Sequence, residues 1–473
     1  MSTERKERRT VCLLTNWYPT PENPHFGLFF REQALALSDR LDFLVVHYTE
    51  RIRKRPGQKD RIVPVRQEKN ISEFAIEAVV PAWAALRERA AEGIFRGLRG
   101  KDGSIFAERS CRRERIKGKK LIRIFGEHFR DRIDLFYCVD AQREAADVQL
   151  LAGHFGKPYI VGEHGPVPWP GTVIPLRQKK AIEGAAAFLA ISWDKVRQME
   201  MQNIRLPKVV YVGNLVLEEH FPLRQQSRIY PPTCMKTDFV RERVSEVVTK
   251  SSPGQNGRRE RMFTEGTELG RKPLGPENER AEDRCTENGS MGVSLKTLIT
   301  VGAYSFYKNY DLFISVMNRL TELTEVPFRV MIVGYGANPG YAGNAAELEK
   351  KIRASRFADR AELIPSVPHE KMSEIYRRAD AFVMTSIQEG QPVSALEAAC
   401  SGLPVFSTRC GGVEDYVDES MGRIVGIREG EALALALRDF LEGKIAFDPA
   451  HLREQVVSRF GRAAFSTNFM SVV

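Results

Sequence analysis

Short apolar runs alternate along most of the chain with longer stretches whose apolar positions recur at helical spacing. The first pattern is that of strands buried on both faces. The second is that of helices packed on them, and the alternation predicts parallel sheets. In residues 1–221, strands are expected at 11–16, 43–48, 134–139, 159–162, 188–191 and 209–212, with helical stretches such as FREQALALSD and REAADVQLLAGHF between them. The pattern resumes at residue 295. Strands are expected there at 298–301, 328–333, 361–364, 381–384, 405–407 and 423–425, and helices at 312–321, 345–355, 371–378 and 394–401. The expected fold class is α/β, with two doubly wound parallel-sheet, Rossmann-like domains at 1–221 and 295–448. A last helical stretch, 449–473, is expected to pack back toward the first domain.

Residues 222–294 change character. They are rich in Arg, Glu, Ser, Gly and Pro and poor in aromatic residues. Such a composition buries too little apolar surface to offset the entropy of ordering, so a disordered linker or insertion is expected, with one short helix around FVRERVSEVV.

The richest stretch is 381–412, AFVMTSIQEGQPVSALEAACSGLPVFSTRCGG. It predicts a strand, a loop carrying Glu389, a helix from about Ser394 that contains Glu397, a stop at Ser401-Gly402 and a further strand. Loops at the carboxyl ends of parallel strands line the ligand crevice of such sheets. The helix start beside them offers free N–H groups to an anion. Carboxylates that accept from hydroxyls, next to amides that donate to phosphate, suit a sugar nucleotide; a surface pair of glutamates is the other reading. Ala395, Ala398 and Ala399 let the helix lie close to the sheet, and Gly411-Gly412 predicts another close-approach loop.

Three further segments carry candidate chemistry. VGAYSFYKN, 301–309, places Lys308 on a strand-end loop, either to neutralise a diphosphate or as an ordinary exposed lysine. In NWYPTPENPHFGLFFREQALAL, Gly27 either lets the backbone approach a ligand or is a plain turn glycine. GEHGPVPWPG puts Glu163 and His164 at a strand end, where His164 is poised for polar chemistry or held as a structural histidine. With no third ligand in view, that pair does not predict a metal site. VGYGANPG, 333–340, follows a strand but has the spacing G-x-G-x-x-x-G, and no acidic residue closes the next strand, which argues against a redox dinucleotide.

Composition narrows the setting. A chain of 473 residues, 42% hydrophobic and 28% charged, fits a soluble protein of two or three domains. No apolar run approaches the ~20 residues that span a bilayer, and the polar start MSTERKERR lacks a secretory h-region. Seven scattered cysteines without metal-ligand spacing point to a reducing cytoplasm. The net charge of +10 fits a phosphorylated ligand, an anionic membrane or nucleic acid. Basic residues crowd at Arg112, Arg113, Arg115, Lys117, Lys119, Lys120 and Arg123. They form either a solvated helix face or a helix that docks on anionic lipid, at ~1 kcal/mol per cation near the surface. No nucleic-acid-binding signature is present, so no nucleic-acid partner is expected.

Taken together, these segments resemble the retaining, nucleotide-sugar-dependent glycosyltransferases of the GT-B fold, in family 4 (glycosyl transferases group 1). The resemblance rests on Glu389 and Glu397 within EG…LEA…SGLPV…GG. VGAY…KN, MIVGYG, YRRADAFVMTS, GEHG, AISW, VGNLVLEEHF and YPTPENPHFGLFFREQ support it, and it covers nearly the whole chain outside 222–294. It implies that Glu389 binds donor-sugar hydroxyls, Glu397 the ribose, Lys308 the diphosphate, and Gly27 the phosphate from the other domain. It implies that His164 faces sugar and acceptor, with Glu389 and His164 as the catalytic pair. Backbone near Val367 would touch the base, and Gly390, Gln391, Pro392, Val393 and Ser394 would meet sugar and phosphate at the helix start.

The same resemblance implies a nucleotide-sugar donor, a glycan or lipid-linked glycan acceptor, and no cofactor or metal. It also implies a place in bacterial surface polysaccharide or lipopolysaccharide synthesis, in the cytoplasm or peripheral on the inner face of the cell membrane. The chain departs from the family at Ala303, where an Arg that helps the Lys bind phosphate is common. A non-catalytic sugar-nucleotide-binding or scaffold protein, and a sugar-nucleotide epimerase, are the alternative readings.

Overall fold

The computed structural model describes residues 8–19, 27–52, 57–80, 104–168, 173–223, 295–336 and 342–473. Two sheets organise them. The first contains β1 (Thr10–Leu14), β2 (Asp42–Ile52), β3 (Arg61–Glu68), β4 (Ile71–Val80), β5 (Leu135–Cys138), β6 (Tyr159–Gly162), β7 (Ala187–Ala190) and β8 (Val209–Tyr211). Its order is β3-β4-β2-β1-β5-β6-β7-β8, parallel except for the β3–β4 pair. The second is parallel throughout, in the order β11-β10-β9-β12-β13-β14. Its strands are β9 (Lys296–Val301), β10 (Phe328–Val333), β11 (Ala361–Ile364), β12 (Ala381–Met384), β13 (Val405–Thr408) and β14 (Gly422–Val425). The central strands are buried from end to end, as in β5, β6, β7, β12 and β13. Helices on both faces cover them, and this explains why they read as unbroken apolar runs.

The β3–β4 hairpin was not expected. β3 lies at the sheet edge, is largely exposed, and carries Pro64 and several charges, so it lacks an apolar signature. An edge is where a strand tolerates proline. Lys69, at φ 48, makes the turn.

The basic cluster falls on α2 (Ser104–His128). Its Leu121, Ile124 and Phe125 are buried in the first domain's core. Lys117 pairs with Asp147, while Lys120 and Arg123 lie 2.6 and 2.7 Å from the Asp60 carboxylate. Much of this positive charge therefore serves the fold, and Arg115 and Lys119 stay exposed. The side chains of Arg112 and Arg113 lie outside the described residues. No described helix is long and apolar enough to cross a membrane.

The C-terminal stretch is two helices rather than one. Asp448 caps Pro449–Phe460 and Pro449 occupies its first turn. Gly461 is extended at φ −66, ψ 168, and Arg462–Met470 follows. Leu452, Val456 and Phe460 join the core beneath the second sheet. Phe465 and Phe469 join that of the first, where the Phe469 ring meets Tyr137 at 5.7 Å. The expected insertion at 222–294 lies outside the described residues except for its first two positions, as does the short helix expected within it.

Candidate active site

The loop after β12 carries Glu389. Its Oε1 lies 2.8 Å from Lys308 Nζ and accepts a 2.7 Å hydrogen bond from Ser386 Oγ. Lys308 comes from the 3-10 turn Phe306–Lys308 after β9, the strand beside β12, so neighbouring strands deliver the two side chains to one end of the sheet. Both groups are half-buried.

Glu397 sits in the helix Val393–Cys400 and is buried. Tyr376 OH donates to its Oε2 at 2.9 Å, and His369 Nε2 lies 2.7 Å from Oε1. On the far side of the ring, His369 Nδ1 is 3.1 Å from Glu32 Oε1. Glu32 belongs to α1 (Leu28–Leu37) of the first domain, so one imidazole bridges carboxylates from both domains. Burial disfavours its cation, but the hydrogen bonds and charges of Glu32 and Glu397 outweigh burial and push its pKa up to about 11. Val367, two residues before His369, is half-buried after β11 and packs on the second domain's core.

His164 follows β6. Its ring stands edge-on to Phe30 at 4.5 Å and tilted against Phe29 at 5.6 Å, both on α1. Burial and the nearby Lys195 charge lower its pKa to about 3, against an opposing contact from Asn214, so the ring is neutral. Its buried Nδ1 has no hydrogen-bond partner among the described residues. Beside it, Lys195 Nζ is buried and donates to Gly165 O at 2.5 Å, and the Glu163 carboxylate accepts from the Gln142 and Gly165 amides. Burial drives Glu163 up, with Asp140 adding to the rise, and drives Lys195 down, so each is pushed toward its neutral form. The two domains touch here: a Cβ on Gly390 would sit 2.9 Å from the His164 carbonyl oxygen.

Gly27 precedes α1 at φ 69, and a Cβ there would lie 2.6 Å from the Trp17 carbonyl oxygen. Only glycine fits, and no side chain caps the helix start it opens. Pro392 opens the second domain's helix, also without a side-chain cap, leaving the Val393 and Ser394 end to outside acceptors. The Gln391 side chain is committed elsewhere. It donates to Tyr211 OH at 3.1 Å and accepts from the Asn214 amide, while Asn214 Nδ2 donates to Gln391 O at 2.8 Å. A groove of about 570 Å³ runs alongside, lined by Arg197 and Gln198 of the first domain and Gln388, Arg409 and Glu414 of the second. The main-chain carbonyl of Cys410, in its wall, accepts from the Glu389 amide at 2.7 Å. Glu414 Oε2 is buried there without a hydrogen-bond partner among the described residues.

The structure thus joins Lys308 to Glu389, and Gly390 to His164. It spends Gln391 on the interdomain contact, and Ala303 itself brings no charge to Lys308. Sequence reasoning missed Glu32, His369, Tyr376 and Lys195. His369 was within reach, since it shares the strand-end loop of Val367. Glu32 was not, because a glutamate in an amphipathic helix reads as a solvated face.

Residues 292–458 match the family model for glycosyl transferases group 1. The phosphatidylinositol N-acetylglucosaminyltransferase gpi3 subunit of Schizosaccharomyces pombe is 27% identical over 158 residues, 33% of this chain and 33% of that protein. The amylovoran biosynthesis glycosyltransferase AmsD of Erwinia amylovora is 24% identical over 171 residues, 36% of this chain and 43% of that one. These matches therefore span well under half of either relative's length. The structure of Anabaena HepE in complex with UDP and glucose superposes with a TM-score of 0.58 at 13% identity, covering 98% of this chain and 99% of that one. At that identity the likeness speaks for the fold alone. Residues 292–458 are similar to the glycosyl transferases group 1 family, and the chain folds as a GT-B protein.

Proposed function

We propose that the chain is a retaining glycosyltransferase that moves a hexosyl group from a nucleoside diphosphate sugar to a hydroxyl of a glycan or lipid-linked glycan, in bacterial surface polysaccharide or lipopolysaccharide synthesis. The observation that carries this reading is the Lys308–Glu389 pair, which lies on the loops that lead to an uncapped helix start and to the His164 loop of the other domain. Glu389 takes sugar hydroxyls, and Lys308 leaves it for the diphosphate. Glu397 takes the ribose, backbone at Val367 the base, and the amides of Val393 and Ser394 the phosphate, with Gly390 and Pro392 shaping that turn. The uncapped start of α1 behind Gly27 faces the phosphate from the other side. The unpartnered His164 Nδ1 is suited to a sugar hydroxyl.

Closure excludes water and aligns the acceptor hydroxyl, which enters along the polar groove, with the anomeric carbon. Lys308 and the helix start stabilise the charge that grows on the departing diphosphate. Its phosphate oxygen takes the acceptor's proton on the face it leaves, so the reading needs no metal and no carboxylate base. The exposed Arg115 and Lys119 suit attachment to the inner face of an anionic membrane.

Ala303 supports a second reading, in which a protein with one phosphate cation fewer binds sugar nucleotide without turning it over. Purified protein incubated with radiolabelled UDP-, GDP- and ADP-sugars and glycan acceptors separates the two. Transfer by the wild type that Glu389→Ala abolishes supports the enzyme. Binding without transfer favours the scaffold, and an altered sugar still on its nucleotide favours an epimerase.

A further inference from the structure

The bridge Glu32–His369–Glu397 has a use that the proposed donor reading leaves unassigned. Each ring nitrogen of His369 lies within hydrogen-bond distance of a carboxylate oxygen, 3.1 Å to Glu32 and 2.7 Å to Glu397. A carboxylate only accepts, so both nitrogens carry protons and the ring is an imidazolium. The three groups are largely shielded, with side-chain exposures of 16% for Glu32, 25% for His369 and 7% for Glu397. The Phe221 ring packs edge-on to His369 and to Tyr376, each at 6.0 Å. In such surroundings a carboxylate that loses its counter-charge is costly. Tyr376 and His369 each occupy one Glu397 oxygen, and each oxygen keeps a lone pair for a further hydroxyl.

Glu32 lies about one turn into α1, the helix that starts at Gly27. The same imidazolium therefore fixes the carboxylate that meets the ribose and fastens the helix whose amide end meets the diphosphate. We propose that His369 and Glu32 are positioning residues that assemble the two halves of the donor seat, drawing α1 onto the second domain while holding Glu397 in register. The inference rests on the donor reading for its purpose but not for its geometry. Lys371 and Glu370, the charged neighbours on the His369 segment, are exposed. The bridge is accordingly carried by the two glutamates.

The test has two arms on the full chain. In the first, spin labels at K119C and R428C, one on each domain and both at exposed positions, report the interdomain distance without ligand, in a background whose other reactive cysteines are serine. Glu32→Gln and His369→Gln should each lengthen the distance, the double variant should lengthen it no further, and Glu32→Asp should restore most of it. Unchanged distances in both single variants, or additive effects in the double, overturn the proposal. In the second arm, calorimetry with UDP, GDP and ADP measures binding. Each single variant should lose about tenfold in affinity for the nucleotide the wild type binds, again without addition in the double. Wild-type affinity in both single variants overturns the positioning role. A wild type that binds none of the three overturns the donor reading itself, while the distance arm decides the bridge separately.

Discussion

Lys308 and Glu389 form a single ion pair, with Nζ 2.8 Å from Oε1, although the donor reading assigns them to different parts of a sugar nucleotide, the diphosphate and the sugar joined to it. Without substrate each is the other's counter-charge. When the diphosphate arrives, Lys308 has a stronger partner and Glu389 is released toward the sugar. Function and stability should therefore separate at this pair. With side-chain exposures of 23% and 17% both groups keep some contact with water, and Glu389 retains the Ser386 hydroxyl as a partner when Lys308 is removed, so the expected cost to folding is about 1 kcal/mol. The loss of a group aimed at developing transition-state charge costs about 10²–10³ in rate. Lys308→Met is expected to leave the melting temperature within a few degrees of wild type, about the shift that ~1 kcal/mol gives a domain of this size, and to lower kcat/KM for the donor by about 100-fold. An equal loss in both, followed by circular dichroism and donor turnover, would count against the assignment.

His369 predicts a pH dependence of known sign. Its folded pKa is raised to about 11, above the ordinary histidine value of 6.5, because the hydrogen bonds and charges of Glu32 and Glu397 outweigh burial. A raised basic group contributes stability that is complete below its unfolded pKa and disappears as pH climbs to the folded one. The stability deficit of His369→Gln relative to wild type should thus be largest at or below about pH 6, smaller at pH 8 and nearly gone by pH 11. Urea denaturation at the three pH values checks it. A deficit that stays constant across them would mean that shape rather than charge holds the bridge.

His164 has the opposite sign. Burial, with the Lys195 charge behind it, lowers its pKa to about 3. Its contribution is present above about pH 6.5 and is lost as pH falls toward the folded value. His164→Gln should flatten the acid limb of the stability curve between pH 6.5 and 4. Above pH 7 the ring is neutral, so donor turnover should show no limb in that range that the variant removes. An unchanged acid limb in the variant would place the titration elsewhere.

The fold was legible because its central strands are buried on both faces and stand out as apolar runs bounded by Gly, Pro and Asp. The β3–β4 hairpin was illegible for the same reason inverted, since an exposed edge strand with Pro64 has no apolar face to announce it. Within the candidate site, Glu389 and Lys308 drew notice from their strand-end loops, Glu397 from its place in the helix that follows, and Gly27 from its place ahead of a helix. Their pairing did not. That Glu389 meets Lys308, or that Glu397 meets Glu32 through His369, depends on strand order and interdomain approach, which local sequence does not carry. Lys195 was hidden for a related reason. A lysine in the first turn of a polar helix reads as exposed, whereas Lys195 is buried where Gly390 packs against the His164 loop.

The glycine pair after β13 offers the sharpest separation of backbone strain from site geometry. Gly412 has φ 68, and a Cβ there would lie 2.1 Å from the Gly390 carbonyl oxygen. Gly443 has a similar φ of 74 with open space around its Cβ position. Alanine at either position bears the left-handed penalty of roughly 1–2 kcal/mol. At Gly412 the methyl must also push Gly390 and Gln391 away, and these hold the His164 main chain and the Tyr211–Asn214 contact. Gly443→Ala should lose about 1 kcal/mol of stability and keep wild-type donor turnover. Gly412→Ala should lose more stability and most of its turnover, with KM for the donor raised because the loop no longer meets the first domain. Parallel melting curves and donor kinetics on the two variants settle it. Gly412→Ala with wild-type KM would show that the loop after β13 does not shape the donor seat.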